Sequence, residues 1–119
     1  MIYSAGHSAT PHYCLGLLTL QGRDPLDPWA WAKSAEPVFG PHESPEGRVY
    51  TVGHCSFTQS PDGKEDWIVY HAKESREGGF AGRTARAQRF GWAPDGTPEF
   101  GRPTPAGVRL ARPSGEQAG

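Results

Sequence analysis

The chain has 119 residues, enough for one small domain. Twelve Lys and Arg residues nearly balance 13 Asp and Glu residues, giving a net charge of −1, so the basic face typical of nucleic-acid binding is not indicated. No apolar run approaches the roughly 20 residues that span a membrane, and the first residues lack the features of a secretory signal peptide. The sequence leaves the localisation of the protein open.

Glycine and proline are unusually common, with 16 and 12 residues, about twice their average usage. They alternate with aromatic and β-branched runs, a pattern typical of short strands joined by turns. The sequence therefore predicts an all-β fold with almost no helix. Cys14 and Cys55 each lie in a strand-like run, which predicts two buried free thiols and no disulfide framework.

In chain order, strands are predicted at residues 1–5 and 13–20, joined by a long loop into a hairpin. Residues 21–47 are mostly irregular. Within them we expect one turn of helix at 29–33 and a brief strand at 36–39.

The second half of the chain has the clearest strand patterns. A strand is predicted to begin at residue 49 and to run through Gly53 and His54, and further strands are predicted at 67–72, 83–92 and 108–110. Two Pro-Asp-Gly turns punctuate them, at 60–63 and 93–96. We expect these strands to form two antiparallel sheets, each with at most four strands.

A set of segments in this order carries a family resemblance. The segments are Ile2-Tyr3-Ser4-Ala5, Tyr13-Cys14-Leu15-Gly16-Leu17-Leu18, Trp31-Ala32-Lys33, Glu36-Pro37-Val38-Phe39, Gly53-His54-Cys55-Ser56-Phe57, Asp66-Trp67-Ile68-Val69-Tyr70-His71-Ala72 and Arg83-Thr84-Ala85-Arg86-Ala87-Gln88. Each is weak alone, but the ordered set, which covers roughly residues 2–110, resembles the glycoside hydrolases of family 43, among them arabinofuranosidases and xylosidases.

The resemblance implies a fold and a chemistry. Family 43 enzymes are five-bladed β-propellers that act on arabinose- and xylose-containing polysaccharides, with inversion by two carboxyl groups on opposite sides of the sugar. Residues 1–112 would form about the last two blades, and residues 113–119 a flexible tail. The family's three carboxylates precede the segment that begins here at Met1, so we expect them outside this chain.

The acids of the chain are poor substitutes for those carboxylates. Asp62 and Asp95 lie in tight turns, and Glu65 and Asp66 are adjacent, so that strand alternation sends them to opposite faces. We therefore expect the chain alone to be inactive.

His54 is the strongest candidate for a metal ligand. The resemblance implies a position near the propeller axis, beside a central cation, often calcium, that is otherwise held largely by water. Because calcium prefers six to eight oxygen ligands, one imidazole is a weak anchor and the site would need a complete ring. The alternative is a structural histidine bound to backbone groups. Cys55 stands where the family usually has Asn.

Arg83 is the candidate for substrate binding. The resemblance implies that its guanidinium reaches the substrate pocket, where it can bind sugar hydroxyls and lower the pKa of the acid. The alternative is a solvated loop arginine. We interpret His71 as a packed strand residue rather than a ligand. Four tryptophans can stack on sugars, although most are interpreted as packing residues: Trp29, Trp31, Trp67 and Trp92.

Three functions remain open at this point. The leading hypothesis is the C-terminal part of a glycosidase whose complete form binds arabinan- or xylan-type carbohydrate. The second is a non-catalytic carbohydrate-binding module, and the third is a structural β-domain that assembles with another chain. Isolated blades leave apolar faces and strand edges exposed, so we also expect self-association.

Overall fold

Eight strands in two antiparallel sheets make up the computed structural model, which describes all 119 residues. The strands are β1 (Ile2–Ala5), β2 (Cys14–Leu20), β3 (Trp31–Lys33), β4 (His42–Ser44), β5 (Gly47–Gln59), β6 (Asp66–Lys73), β7 (Thr84–Trp92) and β8 (Pro98–Glu99). The first sheet has the order β1-β2-β3 and the second β4-β5-β6-β7-β8. The only helix is a three-residue 3₁₀ turn at Pro28–Ala30, so the chain has no helix that could span a membrane. The all-β prediction is confirmed.

The prediction of at most four strands per sheet is wrong for the second sheet, because β5 serves two partners. This 13-residue strand changes register between Tyr50 and Gly53 and again between Gly53 and Ser56. Its first residues pair with β4, and it pairs with β6 from Tyr50 onward. Bulges bend and twist a strand, which lets one long strand serve both neighbours.

Both predicted Pro-Asp-Gly turns form. The N–H of Gly63 donates to the carbonyl of Ser60 at 2.8 Å, and the N–H of Gly96 donates to that of Ala93 at 2.9 Å. The two glycines have φ values of 70° and 85°, which a side chain would strain. The first turn fixes the register of β5 on β6, and the second returns the chain from β7 to β8.

The irregular regions differ from the prediction in two places. The expected helical turn at 29–33 is shifted, because the Asp27 carboxylate caps the backbone N–H of Trp29 and residues 31–33 continue as β3. The expected strand at 108–110 is absent, and the N–H of Val108 instead closes a turn on the carbonyl of Pro105. At 36–39 only Phe39 pairs, in a single bridge to Leu15.

The core lies between the two sheets and is centred on Phe39. Its ring meets that of Tyr70 edge-on, with centroids 4.9 Å apart, and is nearly solvent-free. Burying such a ring contributes roughly 1.5–3 kcal/mol. The nine residues of the core cluster are Leu15, Phe39, Val49, Val52, Ile68, Tyr70, Ala72, Phe90 and Phe100. The alternation predicted for 67–72 is thus confirmed, since Ile68, Tyr70 and Ala72 face inward.

The two cysteines are free thiols. Cys14 is buried and Cys55 is half-buried against the core. Burial raises the pKa of both thiols, as expected for inert apolar residues.

Ser114 and Gly115, in the segment 113–119, contact the turn between β5 and β6. The hydroxyl of Ser114 donates to Oδ2 of Asp62 at 2.6 Å, and its N–H donates to Oε2 of Glu65 at 3.0 Å. The flexibility expected of this tail stays a prediction.

Candidate functional site

Two residues in β5 have backbone conformations that non-glycine residues rarely adopt. Thr51 has a φ of 56° and His54 a φ of 51°. They lie at the two register shifts around Gly53, so the backbone turns there and re-aims the side chain of His54. Each such residue costs about 1–3 kcal/mol, and this kind of strain is concentrated at functional sites.

The loop after β1 holds this strained segment. The side chain of Thr51 is buried, and its hydroxyl donates to the carbonyl of Thr10 at 3.2 Å. The N–H of Val52 donates to the carbonyl of Tyr13 at 3.0 Å. These long-range bonds maintain a conformation that local preference opposes.

Gly53 lies against the ring of Tyr13. A Cβ atom at Gly53 would be 2.1 Å from Cε1 of that ring, closer than any real contact. Tyr13 in turn stacks on His71, with centroids 5.8 Å apart and planes 29° apart. The glycine of the Gly-His motif therefore makes room for an aromatic pair beside the site.

His54 is exposed at the end of this bend. Its backbone N–H donates to Oγ of Ser4 at 3.1 Å, which ties the bend of β5 to β1. The His54 ring lies 6.2 Å from that of His71 in an edge-on arrangement, and neither nitrogen of the His54 ring has a hydrogen-bond partner in the chain. The imidazole is thus free to interact with another group.

His71 lies between His54 and Arg83. Its Nδ1 is 3.1 Å from the carbonyl of Thr51, so Nδ1 carries the proton, and Nε2 is left to accept from Nη1 of Arg83 at 3.4 Å. Burial, and then the charge of Arg83, lower the pKa of His71. The strand position predicted for His71 is confirmed, and the ring also links the two candidate residues.

Arg83 immediately precedes β7, and several contacts fix its guanidinium. Nη2 donates to the carbonyl of Ser8, and the group lies over the ring of Phe80, 4.7 Å from the centroid. Nε is buried without a partner. None of the salt bridges in the chain involves Arg83, so no carboxylate oxygen lies within 4.0 Å of its guanidinium nitrogens. A fixed, uncompensated guanidinium is suited to bind hydroxyl or carboxyl oxygens.

Two adjacent acids, Glu65 and Asp66, are hydrogen-bonded to groups away from Arg83. Glu65 accepts from Trp67 and Arg89, whereas Asp66 accepts from Gln59 and Trp92. The two neighbours thus have separate sets of partners, as strand alternation predicts. Neither has a hydrogen bond to His54, His71 or Arg83.

The side chains around His54 do not provide the oxygen ligands that a calcium ion would need if this chain held it alone. Calcium takes six to eight oxygen ligands, whereas His54 has another imidazole as its neighbour. No group of three or more His, Cys, Asp or Glu residues in the chain could hold a metal ion. We therefore derive no chemical step from a bound metal.

The family model of the glycosyl hydrolases of family 43 matches residues 1–98, most of the chain. The chain belongs to glycoside hydrolase family 43. It is 39% identical to α-L-arabinofuranosidase B of Pyricularia oryzae, covering 92% of this chain and 23% of that protein. It is 41% identical to an extracellular exo-α-(1→5)-L-arabinofuranosidase of Streptomyces avermitilis, covering 94% of this chain and 24% of that protein.

Solved family 43 structures agree with the fold. The α-L-arabinofuranosidase from Lactobacillus brevis superposes with a TM-score of 0.77 at 36% identity, covering 91% of this chain and 34% of that chain. A thermostable family-43 glycoside hydrolase gives a TM-score of 0.66 at 30% identity, again covering 34% of that chain. The chain is thus a partial family 43 propeller, and it spans about a quarter of the curated relatives it matches.

Sequence reasoning nominated His54 and Arg83, and the structure brings both beside His71. It missed Ser8 and Thr51, which act through backbone carbonyls and so leave no signal in residue type. It also missed Phe80, whose side chain is 64% exposed under Arg83. An isolated Phe in a charged, Gly-rich loop was the available signal.

Proposed function

We propose that this chain is the C-terminal part of a family 43 glycoside hydrolase that cleaves O-glycosidic bonds in arabinose- or xylose-containing polysaccharides. It contributes the cluster of His54, His71 and Arg83, and the catalytic acids come from outside these 119 residues. The observation that carries the proposal is the guanidinium of Arg83, which is anchored to Ser8, His71 and Phe80 with no carboxylate partner.

The chemistry explains why such a cluster needs a second part. Inverting hydrolysis requires one carboxylic acid at the leaving oxygen and one carboxylate that activates water on the opposite face. Arg83 can bind substrate hydroxyls and lower the pKa of a nearby acid, but it transfers no proton at neutral pH. The chain alone is therefore inactive.

The names of the relatives support the substrate class, since the curated proteins it matches are arabinofuranosidases. The substrate of the complete enzyme is on this view an arabinan- or xylan-type carbohydrate. A calcium ion near His54, held mainly by water, stays a prediction for a complete propeller.

The test is a longer protein in which an upstream family 43 segment supplies the three carboxylates. In that protein, Arg83→Ala should reduce the release of arabinose or xylose from aryl glycosides by at least about ten-fold, the loss of roughly one charge-assisted hydrogen bond. His54→Ala should also reduce it. Arg109→Ala, at an exposed arginine outside the cluster, is the matched control and should have no effect. Equal activity of the Arg83 and Arg109 variants would remove the role proposed for Arg83.

A second candidate function is non-catalytic carbohydrate binding, and the exposure of two tryptophans favours it. Trp29 is 93% exposed and Trp92 is 55% exposed, so both rings are accessible to a sugar. Calorimetry of the 119-residue chain with arabino-oligosaccharides distinguishes the two. Binding that is lost in Trp29→Ala or Trp92→Ala and kept in Arg83→Ala would favour the module.

A further inference from the structure

Lys73, the last residue of β6, is the most deeply buried charged group in the chain. It is 2% exposed, and its ammonium donates to three successive backbone carbonyls, those of Glu77, Gly78 at 3.5 Å and Gly79 at 3.2 Å. It takes part in no salt bridge. A buried ammonium normally needs a carboxylate partner, so a site made only of carbonyls is an unusual solution.

The carbonyl site of Lys73 shapes the loop between β6 and β7. The three carbonyls converge on one ammonium, which forces residues 77–79 to curl around it. The N–H of Gly79 then donates to the carbonyl of Ala9 at 2.8 Å, and this bond joins the loop to the segment after β1. Gly79 has a φ of 91°, so this curl depends on a glycine.

The same two segments fix Arg83. Ser8, next to Ala9, accepts from Nη2 of Arg83, and Phe80, next to Gly79, lies under the guanidinium. Two of the three anchors of the guanidinium, Ser8 and Phe80, are thus the immediate neighbours of the two residues that form the Gly79–Ala9 bond. Any loosening of residues 77–79 displaces Phe80 and separates the loop from Ser8.

We propose that Lys73 is the positioning residue for Arg83: its ammonium holds residues 77–79 against the segment after β1, and thereby places Phe80 and Ser8 around the guanidinium. The proposal rests on the proposed function only for the sugar-binding role of Arg83. It explains why a charge without a counter-ion is kept at the end of a core strand, since the carbonyls it binds belong to the loop that carries the candidate site.

The test uses the 119-residue chain and the side-chain Nε–H resonance of Arg83 in NMR spectra. In the wild type this proton is expected to be shifted by the ring of Phe80 and to exchange at least about ten-fold more slowly than that of exposed Arg109. Lys73→Met should move the Arg83 resonance to the shift and exchange rate of Arg109, while the amide of Ile68 in the core keeps its shift. Lys73→Arg, which keeps the charge and donors, should restore the wild-type resonance.

Lys64→Met is the matched control, because the side chain of Lys64 is 77% exposed, and it should change nothing at Arg83. An Arg83 resonance unchanged in Lys73→Met would overturn the proposal.

If Lys73→Met does not fold, amine labelling of the wild type decides. Lys33 and Lys64 should react at least about ten-fold faster than Lys73, and equal rates would refute the buried carbonyl site. Neither readout needs glycosidase activity, so an inactive chain leaves the test intact.

Discussion

The carbonyl of Thr51 lies 3.1 Å from Nδ1 of His71, and this contact joins a strained backbone to the chemistry of the site. Because the carbonyl can only accept, it places the imidazole proton on Nδ1 and leaves Nε2 to face Arg83. Burial and the charge of Arg83 lower the pKa of His71, which favours the neutral ring that this arrangement needs. The carbonyl of Thr51, a residue with an unusual φ, thus sets the tautomer of His71.

The close approach of Gly53 to Tyr13 gives a first prediction. Gly53→Ala should destabilise the chain by about 1–3 kcal/mol, because the new methyl group overlaps a ring that cannot move without leaving His71. Urea denaturation followed by tryptophan fluorescence measures this change. Gly91→Ala is the control, since a Cβ there meets nothing within 4 Å, and it should change stability by less than about 1 kcal/mol. Equal urea midpoints for Gly53→Ala and Gly91→Ala would contradict the conclusion that Gly53 makes room for the ring of Tyr13.

The contact of Ser114 with Asp62 gives a second prediction, which concerns pH. The hydrogen bond from Ser114, followed by those from Ser60 and Lys64, lowers the pKa of Asp62 from 3.8 to about 2. The folded value lies below the unfolded one, so the carboxylate contributes stability that is present above pH 3.8 and is lost as the pH falls toward 2.

Carbon NMR of the Asp62 carboxyl group checks this value. Ser114→Ala should raise the pKa of Asp62 toward 3.8, whereas Ser56→Ala, at an exposed serine of β5, should not. The protection factors of the amides of residues 114–116, which correct for the slower intrinsic exchange in acid, should fall at low pH. An Asp62 that titrates normally in the wild type, with a tail that exchanges freely at every pH, would show that the tail is not bound.

The open edge of the first sheet gives a third prediction, self-association. The backbone N–H and C=O of Leu18 bond to Met1, next to β1. Because these groups alternate along an antiparallel strand, the N–H and C=O of Leu20 point to the same side of β2 as those of Leu18, and no strand of the chain pairs with them there. Leu20 lines an apolar cleft of about 420 Å³ with Ile2 and Trp92. We expect concentration-dependent association in sedimentation velocity experiments.

A lysine at that edge should weaken the association. Leu20→Lys places a charge in the cleft, whereas Leu26→Lys places one on a loop residue that is 89% exposed. Only the first should shift the chain toward the monomer. A wild type that stays monomeric at every concentration tested would rule out the edge as an interface.

Local patterns predicted the strands and turns because their causes are local. Pro61 and Gly63 restrict the chain to one turn, and the alternation of Ile68 and Tyr70 identifies the face that packs on Phe39. The sequence pattern predicts the helical turn at 29–33 rather than at Pro28–Ala30, because the capping residue, Asp27, lies outside the segment with a helical pattern.

The candidate site was predicted only in part, because its geometry comes from distant backbone contacts. Nothing in residue type indicates that Thr51 adopts a positive φ, or that the carbonyl of Ser8 receives Arg83 across 75 residues. The carbonyl site of Lys73 was unpredictable for the same reason. The resemblance to a family indicated His54 and Arg83, and their roles stay predictions.

The central claim is that this chain supplies the substrate-binding part of a glycosidase site and none of its catalytic acids. The most direct measurement is the release of 4-nitrophenol from 4-nitrophenyl α-L-arabinofuranoside by the purified 119-residue chain. We predict no release above that of a buffer blank, because no pair of acids in the chain adjoins Arg83. Measurable turnover that is abolished by Glu65→Gln or Asp66→Asn would contradict the account.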